Sequence, residues 1–228
     1  MEAMRNVLLA VGCAVLTVAM VAPASAALIT GIQYSYDANG GTCGGGEAAY
    51  IGTYTTTAAS SGTLKDGYIT LQADVNANAA FTVPAYTIGL GPAGTPAIYG
   101  TYYGPIVDFK LNGSYNLSSM LIGYTQKLAY GVGAPSSVSI SVNGGSVLGT
   151  YTGFDNSIEY YPNGDARTYS IDLTSLNLTG VQTVRLVFPS AKEWTALNEI
   201  QFDGVVPEPA AVALLAAGLL ACGWRKRK

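Results

Sequence analysis

The chain has 228 residues, of which only 11% are charged, and its formal net charge is −3. Residues 27–206 contain six Lys or Arg and twelve Asp or Glu, so this middle segment has a net charge of −6. A segment of that sign is a poor nucleic-acid binder, because such binding depends on neutralising phosphates. No histidine is present, which removes the commonest general base, the usual serine and cysteine triads and most zinc sites.

The first 26 residues have the three parts of a secretory signal peptide. Arg5 precedes an apolar run from Val7 to Ala22, and the small residues Ala24 and Ala26 stand at the −3 and −1 positions of a cut after Ala26. We therefore expect signal peptidase to remove residues 1–26, folded as a signal helix, during export across the inner membrane. The alternative is an uncleaved N-terminal membrane anchor.

The middle of the chain has the pattern of an all-β domain. Four segments alternate apolar and polar residues with the two-residue period of half-buried strands: Pro105–Leu111, Ser137–Val142, Thr168–Leu173 and Thr183–Phe188. Asn112-Gly113 and Asn143-Gly144 favour tight turns between strands. No amphipathic helix is evident in residues 27–206, which indicates a sandwich or barrel. We predict a sandwich over residues 62–205, with the Gly-, Ala- and Thr-rich region 27–61 packing on it or leading into it.

Residues 206–228 contain Pro207-Glu208-Pro209, an apolar run from Ala210 to Gly223, and a basic end. The prolines keep the motif extended, and the apolar run is short for a membrane-spanning helix, which needs about 20 residues. This ending resembles the PEP-CTERM sorting signal. The resemblance implies processing by exosortase at Pro207, Glu208 and Pro209, transient membrane attachment through a short C-terminal transmembrane helix, and a final place at the cell surface or in the extracellular matrix.

The middle segment also resembles the galactose-binding-like domains, which include discoidin (F5/8 type C) domains and many carbohydrate-binding modules. The residues that carry the resemblance are Asp66-Gly67, Asp108-Phe109, Tyr115-Asn116-Leu117, Val184–Phe188, Trp194 and Leu197–Gly204. The resemblance implies a jelly-roll β-sandwich of eight strands, flanked here by the signal helix and the short C-terminal helix. It also implies one structural calcium at Asp66, Gly67 and Glu199. The alternative is that Asp66 caps a turn and Glu199 is a solvated surface charge.

Ligands of this family bind in loops at one end of the sandwich, where sugars stack on aromatic rings and hydrogen-bond to polar side chains. By that resemblance the candidate ligand-binding residues are Tyr99, Tyr102, Tyr103, Tyr160, Tyr161 and Arg167. The alternative for each tyrosine is an ordinary role in strands and turns.

Three functions remain open for the domain. We predict a non-enzymatic surface or matrix protein that binds carbohydrate, with the exopolysaccharide of its host as the expected partner. The first alternative is a structural or self-associating surface subunit without a sugar ligand, which would use exposed strand edges. The second is a polysaccharide hydrolase, for which Asp155 and Glu159 are an imaginable carboxylate pair.

Overall fold

The computed structural model describes residues 25–37, 41–43, 49–58, 63–65, 88–92, 106–126, 132–157, 165–189 and 194–207. These residues form eleven strands together with the short 3₁₀ helices Thr63–Lys65 and Thr174–Leu176. The strands are β1 Ala27–Leu28, β2 Gln33–Tyr36, β3 Gly41–Cys43, β4 Ile88–Pro92, β5 Ile106–Gln126, β6 Val132–Gly133, β7 Val138–Val142, β8 Gly149–Tyr151, β9 Asp165–Asp172, β10 Val181–Val187 and β11 Trp194–Val205.

The strands form two sheets that share the long strand β5. Sheet I has the order β3-β4-β11-β5-β9, and β1 and β6 also pair with β11. Sheet II has the order β2-β5-β10-β7-β8. The first part of β5 pairs in sheet II, up to Tyr115, and its remainder from Asn116 pairs in sheet I. Strand β5 therefore joins the two layers of a sandwich.

The core lies between the two sheets and is rich in aromatic rings. Phe109 of β5 is fully buried, with its ring centroid 5.2 Å from Phe202 of β11 and 5.8 Å from Tyr34 of β2. The interior positions expected from alternation are partly buried at Val142 and Tyr169, and buried at Val107, Phe109, Leu111, Val138, Ile140, Ile171, Leu173, Val184, Leu186 and Phe188. The all-β sandwich and its four alternating strands are thus confirmed, because a two-residue period places one face of each strand in the core.

The turn expected at Asn112-Gly113 is wrong, since β5 continues through both residues. This dipeptide lies where β5 leaves sheet II for sheet I, opposite a register shift between Val181 and Thr183 of β10. The hydroxyl of Tyr115 donates a hydrogen bond to Oδ1 of Asn112 there. The Asn-Gly pair therefore marks a change of partner within one strand, which its local turn propensity could not distinguish from a hairpin.

The turn expected at Asn143-Gly144 is confirmed, with φ values of +50° and +71°. Oδ1 of Asn143 accepts hydrogen bonds from the backbone N–H groups of Gln182 (2.9 Å) and Thr183 (3.2 Å), and its Nδ2 donates to the carbonyl of Gly180 (3.1 Å). The side chain therefore fastens the turn after β7 to the start of β10.

Replacing Asn143 with alanine should lower the free energy of unfolding by about 1–2 kcal/mol, because hydrogen bonds are lost and alanine tolerates positive φ less well. Urea unfolding of both proteins measures the difference. Asn177, with φ +48°, is the control, since Asn177→Ala isolates the cost of the backbone conformation. An equal loss in the two variants would show that the hydrogen bonds of Asn143 contribute nothing.

Residues Ala26–Val205 form one compact unit. In the sequence, the described core residues run from Ile29 to Phe202. At one end of sheet I, Ala27 pairs with Gly204 and Asn116 pairs with Val205. Both ends of this unit therefore leave from the same end of sheet I. Within the described part of the chain, no helix is long and apolar enough to cross a membrane. The expected signal helix and C-terminal helix lie outside the described residues.

Candidate functional site

At the end of sheet I opposite the chain ends, the interior face changes from apolar to polar. The neighbouring pairs of β5 and β9 on this face are, in order, Met120–Ile171, Ile122–Tyr169, Tyr124–Arg167 and Gln126–Asp165. The first two pairs belong to the apolar core or pack on it, whereas the last pair is polar and buried. Ten residues of β5 separate Asn116 from Gln126, which corresponds to about 33 Å along an extended strand.

Among the described residues, five polar ones meet at this end, and we call them the Arg167 cluster: Gln126, Asp155, Ser157, Asp165 and Arg167. Arg167 donates from Nε to Oδ2 of Asp165 (2.6 Å) and from Nη1 to Oδ2 of Asp155 and to the hydroxyl of Ser157 (3.3 Å). The side chains of Arg167 and Asp165 are 14% and 9% exposed, whereas that of Asp155 is 54% exposed. A guanidinium held by two carboxylates has a fixed orientation, because its planar fork matches them geometrically.

Gln126 ties the cluster to the segment that crosses over it. Its Nε2 donates to the carbonyl of Ser157 (2.9 Å) and to Oδ2 of Asp165 (3.3 Å). Gln126 is 4% exposed, and its Oε1 is buried without a hydrogen-bond partner in the structure. The orientation of the amide follows from its acceptors, since an amide oxygen could not donate to either of them. The cluster therefore contains a buried acceptor that lacks a donor.

An aromatic layer supports the cluster from the core side. The ring centroid of Phe154 lies 4.6 Å from that of Tyr169 and 5.4 Å from that of Tyr124. The hydroxyl of Tyr124 donates to the carbonyl of Asp155 (3.0 Å), and the backbone N–H of Gly153 donates to the hydroxyl of Tyr169 (3.1 Å). A Cβ atom at position 153 would lie 2.6 Å from the Tyr169 ring, so this close crossing requires glycine. The segment that carries Asp155 and Ser157 is therefore held against β5 and β9.

Burial raises the pKa of Tyr124 to about 12, with the Arg167 charge lowering it and the Asp165 charge raising it. Because the folded protein keeps this proton above the usual tyrosine pKa of about 10, stability should fall as pH rises from about 10 to about 12. We expect Tyr124→Phe to lose less unfolding free energy than the wild type over that interval, as measured by urea unfolding at each pH. Parallel pH curves for the two proteins would contradict this assignment.

The structure places one of the six predicted ligand-binding residues, Arg167, in the cluster. The predicted Tyr99, Tyr102, Tyr103, Tyr160 and Tyr161 lie outside the described residues. In the sequence, Tyr160 and Tyr161 stand between Ser157 and Asp165, both of which belong to the cluster. The roles of Gln126 and Asp165 were not predicted from the sequence. A signal existed for Asp165, because the period of β9 places it and Arg167 on the same face as Tyr169 and Ile171.

The predicted calcium residues are only partly described, since Asp66 and Gly67 lie outside the described residues. Glu199 is 2% exposed, which excludes the alternative of a solvated surface charge. It follows a register shift in β11 and accepts a hydrogen bond from Nε2 of Gln201 (3.4 Å). Strand β11 contacts the 3₁₀ helix Thr63–Lys65, which leads directly into Asp66. Within the described residues, no group of three or more His, Cys, Asp or Glu side chains is placed to hold a metal.

A buried carboxylate fits the oxygen ligands of a hard cation such as calcium, which also uses backbone carbonyls. Lys65, at the end of the same 3₁₀ helix, donates from Nζ to the carbonyl of Thr56, and burial lowers the pKa of its amine. Among the described residues, Glu199 is therefore the one predicted calcium ligand whose position is known.

Of the processing residues, Ala26 and Pro207 are described, and Ala24, Glu208 and Pro209 lie outside the described residues. Only Val206, which is 62% exposed, separates the end of β11 from Pro207. The PEP-CTERM protein-sorting motif matches residues 205–228 as a family model. The predicted sorting motif is confirmed, and it marks the chain as an exported protein that is anchored or processed at the cell envelope. No curated protein matches the chain.

Solved structures similar to this chain include two family 32 carbohydrate-binding modules. One is from NanJ of C. perfringens in complex with galactose, with 13% identity, coverage of 78% of this chain and 99% of that chain, and a TM-score of 0.39. The other is GH31 CBM32-2 bound to GalNAc, with 15% identity, coverage of 78% and 98%, and a TM-score of 0.39. An F5/8 type C domain from Bacteroides fragilis has 17% identity, coverage of 44% of this chain and 65% of that chain, and a TM-score of 0.32. Carbohydrate-binding modules and F5/8 type C domains are the two classes of domain that the sequence resembles.

Proposed function

We propose that this exported protein binds carbohydrate without catalysis, through the Arg167 cluster at the end of its sandwich. The observation that carries the proposal is a fixed set of donors and acceptors at a partly exposed sheet end, in which the guanidinium of Arg167 is held between Asp155 and Asp165. Recognition of a sugar requires directed partners for several hydroxyl groups, and prepositioned side chains reduce the ordering cost of binding.

Each part of the proposed site has a separate task. The exposed carboxylate of Asp155 accepts hydrogen bonds from sugar hydroxyls, and Arg167 keeps that carboxylate in place. Tyr160 and Tyr161, between cluster residues in the sequence, would supply the flat apolar rings on which the C–H face of a sugar stacks. Tyr99, Tyr102 and Tyr103 are the next candidates for such rings.

The hydrogen bonds that both carboxylate oxygens of Asp155 accept favour ligand binding over hydrolysis. Its Oδ2 accepts from Arg167, and its Oδ1 accepts from the backbone N–H of Ser157 (2.9 Å). A general acid must hold a proton and present it to the leaving oxygen, whereas both oxygens of Asp155 already accept hydrogen bonds. We therefore propose that Asp155 orients ligand and does not form a hydrolytic pair with Glu159.

The position of the chain ends suits a surface-attached binder. The sorting motif follows β11 at the end of sheet I that also holds Ala27, and the Arg167 cluster lies at the opposite end. While the tail is attached to the envelope, the cluster would therefore be presented at the far end of the domain. We propose exosortase as the processing partner and exopolysaccharide of the cell surface or matrix as the ligand.

One observation favours a self-associating subunit as the alternative. Strand β8 ends the strand order of sheet II, and Val147 and Leu148 just before it are 58% and 42% exposed. An edge strand with exposed apolar residues can pair with another chain. Concentration-dependent assembly of the domain in the absence of sugar, followed by sedimentation velocity, would support this alternative.

The proposal is tested by titrating residues 27–206 with exopolysaccharide from the native host by isothermal titration calorimetry. Saturable binding by the wild type that Arg167→Met abolishes is the expected result. Arg185→Met is the matched control, because Arg185 is paired with Asp108 on the outer face of sheet II and is 47% exposed. A folded domain that shows no binding would overturn the proposal for that polysaccharide.

We also propose that one structural calcium binds at Glu199 with the early turn at Asp66 and Gly67. The proposal is supported by the burial of the Glu199 carboxylate and by the contact between its strand, β11, and the 3₁₀ helix Thr63–Lys65 that precedes Asp66. Bound calcium would neutralise that carboxylate and link the turn to β11, while the residues of the Arg167 cluster would still make the ligand contacts.

Removing calcium with a chelator should lower the melting temperature of residues 27–206 by several degrees, because a ligand that binds only the folded state stabilises it. Glu199→Gln should abolish the difference between the calcium and chelator curves, as measured by differential scanning calorimetry. Asp203→Asn, on the same strand, should retain it. A chelator effect of the same size in Glu199→Gln would remove Glu199 from the ligand set.

A further inference from the structure

We propose that the Arg167 cluster selects uncharged glycans over glycans that carry uronate, sialate or sulfate. This inference rests on the carbohydrate-binding function proposed above and concerns the class of ligand. An arginine in a sugar site commonly serves to bind an acidic group, since its fork matches carboxylate and sulfate oxygens. The contacts of Arg167 indicate the opposite preference here.

The charged side chains of the Arg167 cluster sum to a negative charge. Two carboxylates, Asp155 and Asp165, surround the single guanidinium of Arg167, which leaves one net negative charge. Residues 27–206 as a whole carry an excess of six acidic residues. An anionic ligand therefore approaches a site and a domain of its own sign.

The carboxylate of Asp155 is more exposed to solvent than the guanidinium of Arg167. The side chain of Asp155 is 54% exposed, whereas those of Arg167 and Asp165 are 14% and 9% exposed. A ligand arriving from solvent thus meets a carboxylate before it meets the guanidinium. The N–H groups on Nε and Nη1 of Arg167 already point at Asp165, Asp155 and Ser157. To bind Arg167, an acidic sugar would have to displace the carboxylate of Asp155. That carboxylate would then lie next to the negative charge of the sugar.

A buried acceptor of the cluster, on Gln126, has no hydrogen-bond donor, and this observation is independent of the charges. Oε1 of Gln126 lies buried in the cluster without a partner in the structure, although Nε2 of the same amide has two acceptors. Because Oε1 is an acceptor, it requires a hydrogen-bond donor. A hydroxyl group of the ligand, or a water bound with it, supplies a donor, whereas a carboxylate or sulfate does not. Exposed acceptors and an unfilled buried acceptor together fit a ligand rich in hydroxyl groups.

The test uses labelled residues 27–206 on a glycan array of matched pairs. Each pair contains a neutral glycan and the same glycan extended or oxidised to carry one uronate, sialate or sulfate. We expect the wild type to bind the neutral member at least about fivefold more tightly, as a like charge near a partly exposed carboxylate costs about that factor. Asp155→Asn removes this charge and releases one N–H of Arg167, so the ratio of neutral to acidic binding should fall toward one.

Asp108→Asn is the matched control, because it removes a carboxylate from the Arg185 pair on the outer face of sheet II and changes the net charge by the same amount. Its ratio should equal that of the wild type. Tighter binding of the acidic members by the wild type would overturn the inference and leave the binding function standing. An unchanged ratio in Asp155→Asn would also overturn it. Absence of binding to every glycan, with a folded domain, would overturn the binding function itself.

Discussion

Replacing Phe109 with alanine should lower the free energy of unfolding by about 4 kcal/mol, which is among the largest losses expected for a single core residue. Phe109 is fully buried, and its ring contacts Tyr34 of β2 and Phe202 of β11. Tyr34 belongs to sheet II and Phe202 to sheet I, so the ring connects the two layers. Alanine leaves a cavity between sheets that strand hydrogen bonding prevents from collapsing.

Guanidinium-induced unfolding of residues 27–206, followed by tryptophan fluorescence, measures this loss. Lys110→Ala is the matched control, because Lys110 is the next residue of β5 and its side chain is exposed. It should change the free energy by less than about 0.5 kcal/mol. A Phe109→Ala variant within about 1 kcal/mol of the wild type would mean that the two sheets do not meet through this ring.

Replacing Arg167 with methionine should cost about 3 kcal/mol of stability and abolish carbohydrate binding. The stability loss follows because the carboxylate of Asp165, whose side chain is only 9% exposed, loses its ion pair with the guanidinium of Arg167. The binding loss follows because Asp155 and Ser157 lose the group that orients them. Chemical unfolding and calorimetric titration of the same preparations measure the two effects.

The double variant Arg167→Met/Asp165→Asn separates these effects. Removing the charge of Asp165 as well should restore more than half of the lost stability, whereas binding should stay absent. Arg185→Met should cost less than about 1 kcal/mol, because its pair with Asp108 is exposed, and should bind normally. Full binding by a folded Arg167→Met variant would show that the ligand site lies elsewhere.

The sequence predicted the sandwich well because alternation is a local signal. Val107, Phe109 and Leu111 already show in the printed sequence which side of β5 faces the core, and burial confirms it. The change of partner at Asn112-Gly113 could not be predicted in this way. Whether an Asn-Gly pair reverses the chain or bends a strand depends on the strands that lie beside it, and β10 and β11 are distant in sequence.

The candidate site was predictable only in part. Arg167 was proposed through a family resemblance, but its two acidic partners come from different segments. Asp155 lies 12 residues before Arg167, beyond β8, and the pairing of the two follows from the course of the chain over Tyr124 and Tyr169. Gln126 is brought to Asp165 by strand register across 39 residues. Contacts of this kind depend on topology, which the spacing of residue types does not determine.

The most direct test of carbohydrate binding at the Arg167 cluster follows the arginine side chains by NMR. Residues 27–206 contain two arginines, Arg167 and Arg185, so the Nε–Hε region of a spectrum of arginine-labelled domain holds one reporter in the cluster and one on the outer face of sheet II. On titration with host exopolysaccharide, we expect a saturable shift or broadening of the Arg167 signal while the Arg185 signal stays unchanged. Saturable binding that leaves the Arg167 signal unmoved would contradict it.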